Sequence, residues 1–256
     1  MRGVGATTVP RRYEHRNVGN GMSVARRSHV RAKTGGHSTR SPSQGAAEAG
    51  PGLRKGNAAR SRAALLLIDV VNDLDFPGSE ALVHAASRMS PRLSQLAQRA
   101  RAARIPVVYV NDNFGRWQSD WRKVIDHCLS PRSPGRHIVE MLRPRENDYF
   151  VLKPKHSGFF STTLDLLLGH MGVETVLIGG VATDICILFT ANDAYMRDYK
   201  VIVPRDCVAA NTRQRTDFTL RQIREVLKGQ TPPSRSLTGS VLRSLQRGSR
   251  LPESWS

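Results

Sequence analysis

Cysteine is scarce. Cys128, Cys186 and Cys207 are the only three in 256 residues, and no two stand in a C-x-x-C or other zinc-binding spacing. That excludes a disulfide-stapled fold and points to a reducing compartment, the cytoplasm. Long apolar runs are missing as well. The run Ala63–Ile68 suits a strand and is far too short for a membrane span, so no membrane association is expected. Neither the phosphate-binding G-x-x-x-x-G-K-[ST] nor the serine-hydrolase G-x-S-x-G occurs. Acidic residues number 21 against 39 basic ones, for a net charge of +18. The imbalance is uneven: residues 1–62 carry +11 and residues 211–256 carry +6, which leaves +1 for residues 63–210. A near-neutral centre with two basic ends makes a uniformly basic nucleic-acid-binding domain the weaker reading.

Residues 1–61 are rich in Arg, Gly, Ser and Ala with almost no large apolar side chain. Such a segment buries too little surface to offset its ordering entropy, so it is expected to be a disordered basic extension. It lacks the apolar stretch of a secretory signal. A nonspecific polyanion-binding arm, a transit-like segment and upstream translation from a misplaced start all remain open. At the other end, Thr216–Leu227 reads as an amphipathic helix carrying Phe218, Leu220, Ile223, Val226 and Leu227. Beyond Thr231-Pro-Pro, residues 231–256 are expected to form a poorly ordered polar basic tail with a short helical pattern at 241–245. The folded domain is then 62–230.

Between these ends strands and helices alternate. Strands are predicted at Ala63–Val71, Ile105–Val110, Tyr149–Leu152, Thr175–Ile178 and Lys200–Pro204. Ser79 is placed to cap a helix through Met89, and Ser90-Pro91 reads as the start of another. Ser161 or Thr162 caps a helix with Leu164, Leu167, Leu168 and Met171 on one face, which Gly172 closes. Asp184–Arg197 reads as the helix after the fourth strand. The alternation predicts an α/β fold, a doubly wound, mostly parallel sheet with helices on both faces. Such sheets bind ligands at the carboxyl ends of their strands.

Three polar residues stand where apolar strands end. Asp69 interrupts the first; it either caps a turn or belongs to a site, since a carboxylate there is costly unless paired. Lys153 ends the third and is either solvated or part of the same rim. Cys186 falls in the first turn of the next helix, where backbone N–H groups and the helix dipole favour a thiolate; the alternative is a small buried apolar residue. Together they place a carboxylate, an ammonium and a thiol on one edge, a set suited to nucleophilic catalysis. Cys207, beside Asp206 on the same rim, reads as structural, with redox sensitivity the lesser alternative.

The segments Leu66-Leu-Ile-Asp-Val-Val-Asn-Asp, Val151-Leu-Lys-Pro-Lys-His-Ser-Gly-Phe-Phe-Ser-Thr-Thr-Leu and Ile178-Gly-Gly-Val-Ala-Thr-Asp-Ile-Cys-Ile resemble the three signature blocks of the isochorismatase-like cysteine hydrolases. Thr190-Ala-Asn-Asp-Ala-Tyr and Val203-Pro-Arg-Asp-Cys-Val match as well, so the resemblance covers about residues 62–230. It implies the doubly wound fold and a triad of Asp69 as base, Lys153 as charge partner and Cys186 as nucleophile. It also implies a cis peptide at Val181–Ala182 and an oxyanion hole from the backbone N–H groups of Ala182 and Cys186. A homo-oligomer is implied too. One departure is Leu74, where the family usually has phenylalanine.

The family's amidases form a thioester, whereas isochorismatase cleaves a vinyl ether without a thiol nucleophile. With Cys186 present, the expected reaction is hydrolysis of a C–N bond in a small amide or carbamoyl compound. Ether hydrolysis through Asp69 is one alternative, and a non-catalytic, nucleic-acid-associated role for the basic tails is another. Nicotinamidases of the family hold a metal with an Asp-x-His pair; here that stretch reads Val110-Asn-Asp-Asn, so no metal and no cofactor are expected. The cluster Asp126-His127-Cys128 is a poor substitute, since neighbours on a helix point apart. Candidate substrate contacts are Phe76, Asp112, Asn113, Trp117 and Phe160; its aromatics suit a core or subunit contact equally well.

Overall fold

The computed structural model describes residues 60–112 and 120–249. Nearly all of the expected basic extension, residues 1–59, lies outside the described residues, as do Asn113 and Trp117. Its last two residues are described, and Ser61 is buried with its N–H donated to Met171 O at 3.0 Å.

Strand β1 (Ala63–Ile68) is buried along its whole length, as a continuous apolar run requires when both faces are covered. Successive side chains point to opposite faces. Leu65 and Leu67 enter one core layer with Leu93, Leu96 and Ala97. Leu66 and Ile68 enter the other with Leu164, Leu168 and Met171. β1 pairs in parallel with β2 (Val107–Asp112), and β3 (Tyr149–Lys153) extends the sheet beyond it. On its other side β1 pairs with β4 (Thr175–Val181), which pairs in turn with β5 (Lys200–Ile202) and the short β6 (Val208–Ala209). The order β3-β2-β1-β4-β5, parallel throughout, reverses its direction of winding between β1 and β4. The carboxyl ends of those two strands therefore flank a crevice, the usual ligand position of such sheets.

Helix α1 (Glu80–Ala102) runs unbroken through Pro91, so the two helices expected there are one. Proline removes the N–H that would bond Ser87 O, and the Ser90 hydroxyl takes its place, donating to Ser87 O at 3.2 Å. Burial of Met89, Leu93 and Leu96 on the same side keeps both halves on the sheet. The short helices α2 (Trp121–Cys128) and α3 (Arg136–Met141) follow β2. Helix α4 (Leu164–Met171) ends at Gly172, whose φ of +78° is the left-handed closure that glycine allows.

After β4 come a π-helical turn (Thr183–Ile187) and α5 (Leu188–Tyr195). Helix α6 (Arg213–Glu225) begins three residues earlier than expected because the Thr212 hydroxyl accepts the Arg215 N–H at 3.2 Å. Leu220, Ile223 and Leu227 are buried, but Phe218 and Val226 are exposed. At about 100° per residue, Phe218 lies on the far side of the helix from Leu220.

The expected loose tail is folded as far as residue 249. Helix α7 (Gly239–Gln246), capped by Thr238, lays Leu242 and Leu245 into the same layer as α1, with Leu237 beside them. Asp206 accepts from the Ser234 N–H and hydroxyl at 2.7 and 2.9 Å, and Arg99 donates to Ser234 O and Leu237 O. Three leucines and these polar ties anchor a segment too polar overall to signal its burial. Among the described residues no helix is long and apolar enough to cross a membrane.

Candidate active site

Where β1 ends, Asp69 takes a φ of +50°, a left-handed conformation costing a non-glycine residue roughly 1–2 kcal/mol. Its N–H still donates to Val110 O at 3.0 Å, continuing the sheet by one residue. Its Oδ1 accepts the Asp112 N–H at 2.8 Å, and its Oδ2 lies 2.9 Å from Lys153 Nζ. These contacts turn the carboxylate across the end of β2 towards β3.

Lys153 is the last residue of β3, in register with Asp112. Its side chain is completely buried, so the solvated alternative does not hold. Beyond Asp69, its ammonium donates to Lys155 O at 3.2 Å and to Cys186 Sγ at 3.6 Å. Pro154 ends the strand and Lys155 is exposed, but the Lys155 carbonyl turns inward and completes the ammonium's shell. Burial lowers the Lys153 pKa, and the facing Asp69 carboxylate more than reverses this, so the ammonium is held charged. Burial likewise raises the Asp69 pKa, a rise that Lys153 opposes.

Cys186 sits in the π-helical turn rather than in a first α-helical turn. Ala182 O accepts from both Ile185 N–H (3.2 Å) and Ile187 N–H (3.1 Å), widening the backbone as π-turns at functional sites commonly do. The thiol is half-buried beside the Lys153 ammonium, which donates to it. The expectation of a favoured thiolate is corrected here. Burial, reinforced by the negative charge of Asp69, outweighs Lys153 and pushes the thiol up to about 12. In the free site the proton stays on sulfur.

The Val181–Ala182 peptide is cis, and Ala182 immediately precedes the turn that holds Cys186. The strand entering it has no room for a side chain at Gly180: a Cβ would lie 2.0 Å from Ile68 O, and φ is +123°. The turn is tied to α6 by Arg215, which donates to Asp184 at 3.3 Å.

Of the substrate-facing candidates, Asp112 is on the rim through its backbone bond to Asp69. Phe76 and Phe160 are exposed on the segments after β1 and β3. Leu74, the departure in the first block, is buried with a φ of +53°. Cys207 is fully buried in the layer holding Leu93. His127 pairs with Asp73 at 2.8 Å while Cys128 is buried in the core, so the 126–128 cluster does not converge. Among the described residues no three His, Cys, Asp or Glu side chains are arranged to hold a metal ion. A cleft lined by Thr175, Tyr195, Lys200 and Gln230 lies at the amino ends of β4 and β5, the opposite edge of the sheet.

Sequence reasoning missed His156. Its Nδ1 lies 3.9 Å from Cys186 Sγ, and its ring packs against Phe189 with centroids 5.7 Å apart. The available signal was its position, three residues after Lys153 and just beyond a proline that turns the chain back over the strand end.

The family profile described as Isochorismatase domain matches residues 63–231. The chain is 39% identical over 164 residues to an uncharacterized isochorismatase family protein, YaaI, of Bacillus subtilis, covering 64% of this chain and 90% of that one. It is 29% identical over 169 residues to the ureidoacrylate amidohydrolase RutB of Methylorubrum extorquens, covering 56% and 67%. Among solved structures, an isochorismatase family protein from Desulfovibrio vulgaris superposes with a TM-score of 0.57 at 28% identity, covering 72% of this chain and 99% of that one. The N-carbamoylsarcosine amidase from Thermoplasma acidophilum gives 0.52 at 27% identity, covering 68% and 96%. The matched region includes Asp69, Lys153 and Cys186, and this chain belongs to the isochorismatase family of hydrolases.

Proposed function

We propose that this protein hydrolyses a C–N bond of a small amide or carbamoyl compound through a thioester on Cys186. The carrying observation is the convergence of three groups: Lys153 Nζ lies 2.9 Å from Asp69 Oδ2 and 3.6 Å from Cys186 Sγ. Two similar proteins, the ureidoacrylate amidohydrolase and the N-carbamoylsarcosine amidase, are by name C–N hydrolases.

Asp69 takes the thiol proton as sulfur attacks the carbonyl carbon. The proton moves only when substrate arrives, because the resting thiol is protonated. Lys153 keeps the buried charge balanced while the proton sits on Asp69. The backbone N–H groups of Ala182 and Cys186 receive the developing oxyanion, each such donor being worth about 3 kcal/mol. Collapse of the adduct breaks the C–N bond, and the amine or ammonia leaves with one proton. Water then splits the thioester, giving up one proton in place of the one the amine took, the carboxylic or carbamic acid departs, and Asp69 returns its proton to sulfur.

In a second reading, Asp69 hydrolyses an ether and Cys186 forms no bond. A panel of small amides and carbamoyl compounds, assayed on the wild type, Cys186→Ala and Asp69→Asn, separates the two. Loss of roughly three orders of magnitude or more in both variants supports the thioester route. Full turnover by Cys186→Ala with loss in Asp69→Asn supports the ether route. Peptide mapping after iodoacetamide treatment adds a second readout: a hydrolysed amide should protect Cys186 from labelling.

A further inference from the structure

Building on the thioester reading, we infer that His156 is a further catalytic residue. It gives a proton to the departing amine and takes one from the water that cleaves the thioester. Those two transfers need a group on the side of the sulfur from which the amine leaves and water enters. Asp69 is buried, with Oδ1 bound to the Asp112 N–H and Oδ2 to Lys153. His156 is exposed, with Nδ1 3.9 Å from Sγ. An acyl carbon bonded to that sulfur comes within one water of the imidazole, the reach that general acid–base catalysis requires.

The ring is not a loose surface side chain. On one side, the Lys155 carbonyl holds the Lys153 ammonium. On the other, the Ser157 hydroxyl donates to Asp193, and the Gly158 N–H donates to Thr190 Oγ1 at 3.0 Å. The chain is thereby fastened to the triad and to α5, and Phe189 of α5 supports the ring itself.

Protons balance over the cycle. In acylation the thiol proton passes to Asp69 and the imidazolium proton to the amine nitrogen as the C–N bond breaks. In deacylation the neutral imidazole takes a proton from water as the C–O bond forms and the C–S bond breaks. Asp69 then reprotonates sulfur, and both residues return to their starting states.

The test uses p-nitrophenyl acetate, whose leaving group departs as a stable anion and needs no proton, so the exposed imidazolium gives its proton to solvent before deacetylation. Burst kinetics and intact mass follow acetylation and deacetylation of Cys186 separately in the full chain. In His156→Gly, acetylation should stay within about twofold of wild type, while deacetylation should slow by about 100-fold so that acetyl-Cys186 accumulates. Added imidazole should restore deacetylation, and His156→Asn, which cannot relay the proton, should behave like His156→Gly without imidazole. Equal deacetylation in wild type and variants overturns the proposal. So does loss of both steps without imidazole rescue, which would make His156 a support for the thiol. A wild type that is never acetylated at Cys186 instead overturns the thioester reading itself.

Discussion

Lys153 Nζ lies 2.9 Å from Asp69 Oδ2 with the two side chains only 1% and 7% exposed, a buried ion pair across the carboxyl end of the sheet. Each charge offsets the desolvation of the other, so neither is tolerable alone. Lys153→Met should therefore cost about 3–5 kcal/mol of stability, because it strands an unpaired carboxylate. The double variant Asp69→Asn/Lys153→Met should recover much of that loss, though not activity. Urea midpoints of the three proteins check this, and a double variant no more stable than the single one would refute the pairing argument.

Stability should fall in alkali. Burial pushes Cys128 and Cys207 up to about 12, against an ordinary value near 9.0 that they regain on unfolding. Below about pH 9 both states hold the thiol proton and the stabilisation is complete. Between about 9 and 12 the unfolded chain releases protons that the folded chain keeps, so each thiol withdraws up to about 1.4 kcal/mol per pH unit. Denaturation midpoints at about pH 8 and 10.5 should show the decline, and Cys207→Ala should reduce its slope. An unchanged slope in that variant would count against the assignment.

Gly180→Ala should be costly out of proportion to one methyl group. The added carbon would meet Ile68 O at 2.0 Å in a backbone conformation that alanine disfavours. β1 and β4 must then separate where Asp69 and the Cys186 turn face each other. A loss of about 2 kcal/mol or more is expected, together with reduced turnover. Thermal melts and an activity assay report both, and a melting temperature unchanged from wild type would show that the strands can part freely.

Truncation after residue 231, where the family match ends, should weaken the fold. It removes Leu237, Leu242 and Leu245, exposed at only 0%, 0% and 2%, and uncovers part of α1. Each buried leucine is worth about 1.5–3 kcal/mol. Denaturant unfolding should show a markedly lower midpoint, whereas an equally stable truncated chain would mean that α7 is only an appendage.

Local pattern was enough where one physical rule dominated. The run Ala63–Ile68 reads as a central strand because only a strand covered on both faces keeps six apolar residues from water. Gly172 reads as a helix end because the left-handed closure excludes most side chains. Alternation of such segments determines the doubly wound class, and with it the edge on which Asp69, Lys153 and Cys186 lie. Local rules misled where a distant or unusual partner intervened. Pro91 signals a new helix, but the Ser90 hydroxyl and the sheet beneath carry one helix through it. The polar tail signals disorder, but Asp206, Arg99 and the flank of α1 fasten it down.

The chemistry divides along the same line. Which residue types end the strands is written in the sequence. Their protonation is not, because it depends on charges and burial contributed by segments far apart in the chain. Lys153 keeps its charge because Asp69, from another strand, faces it; Cys186 keeps its proton because burial and that same carboxylate outweigh the lysine. His156 reaches the sulfur only because the turn after β3 folds back over the nucleophile. Sequence order brings these groups to one edge, and only tertiary packing decides which of them touch.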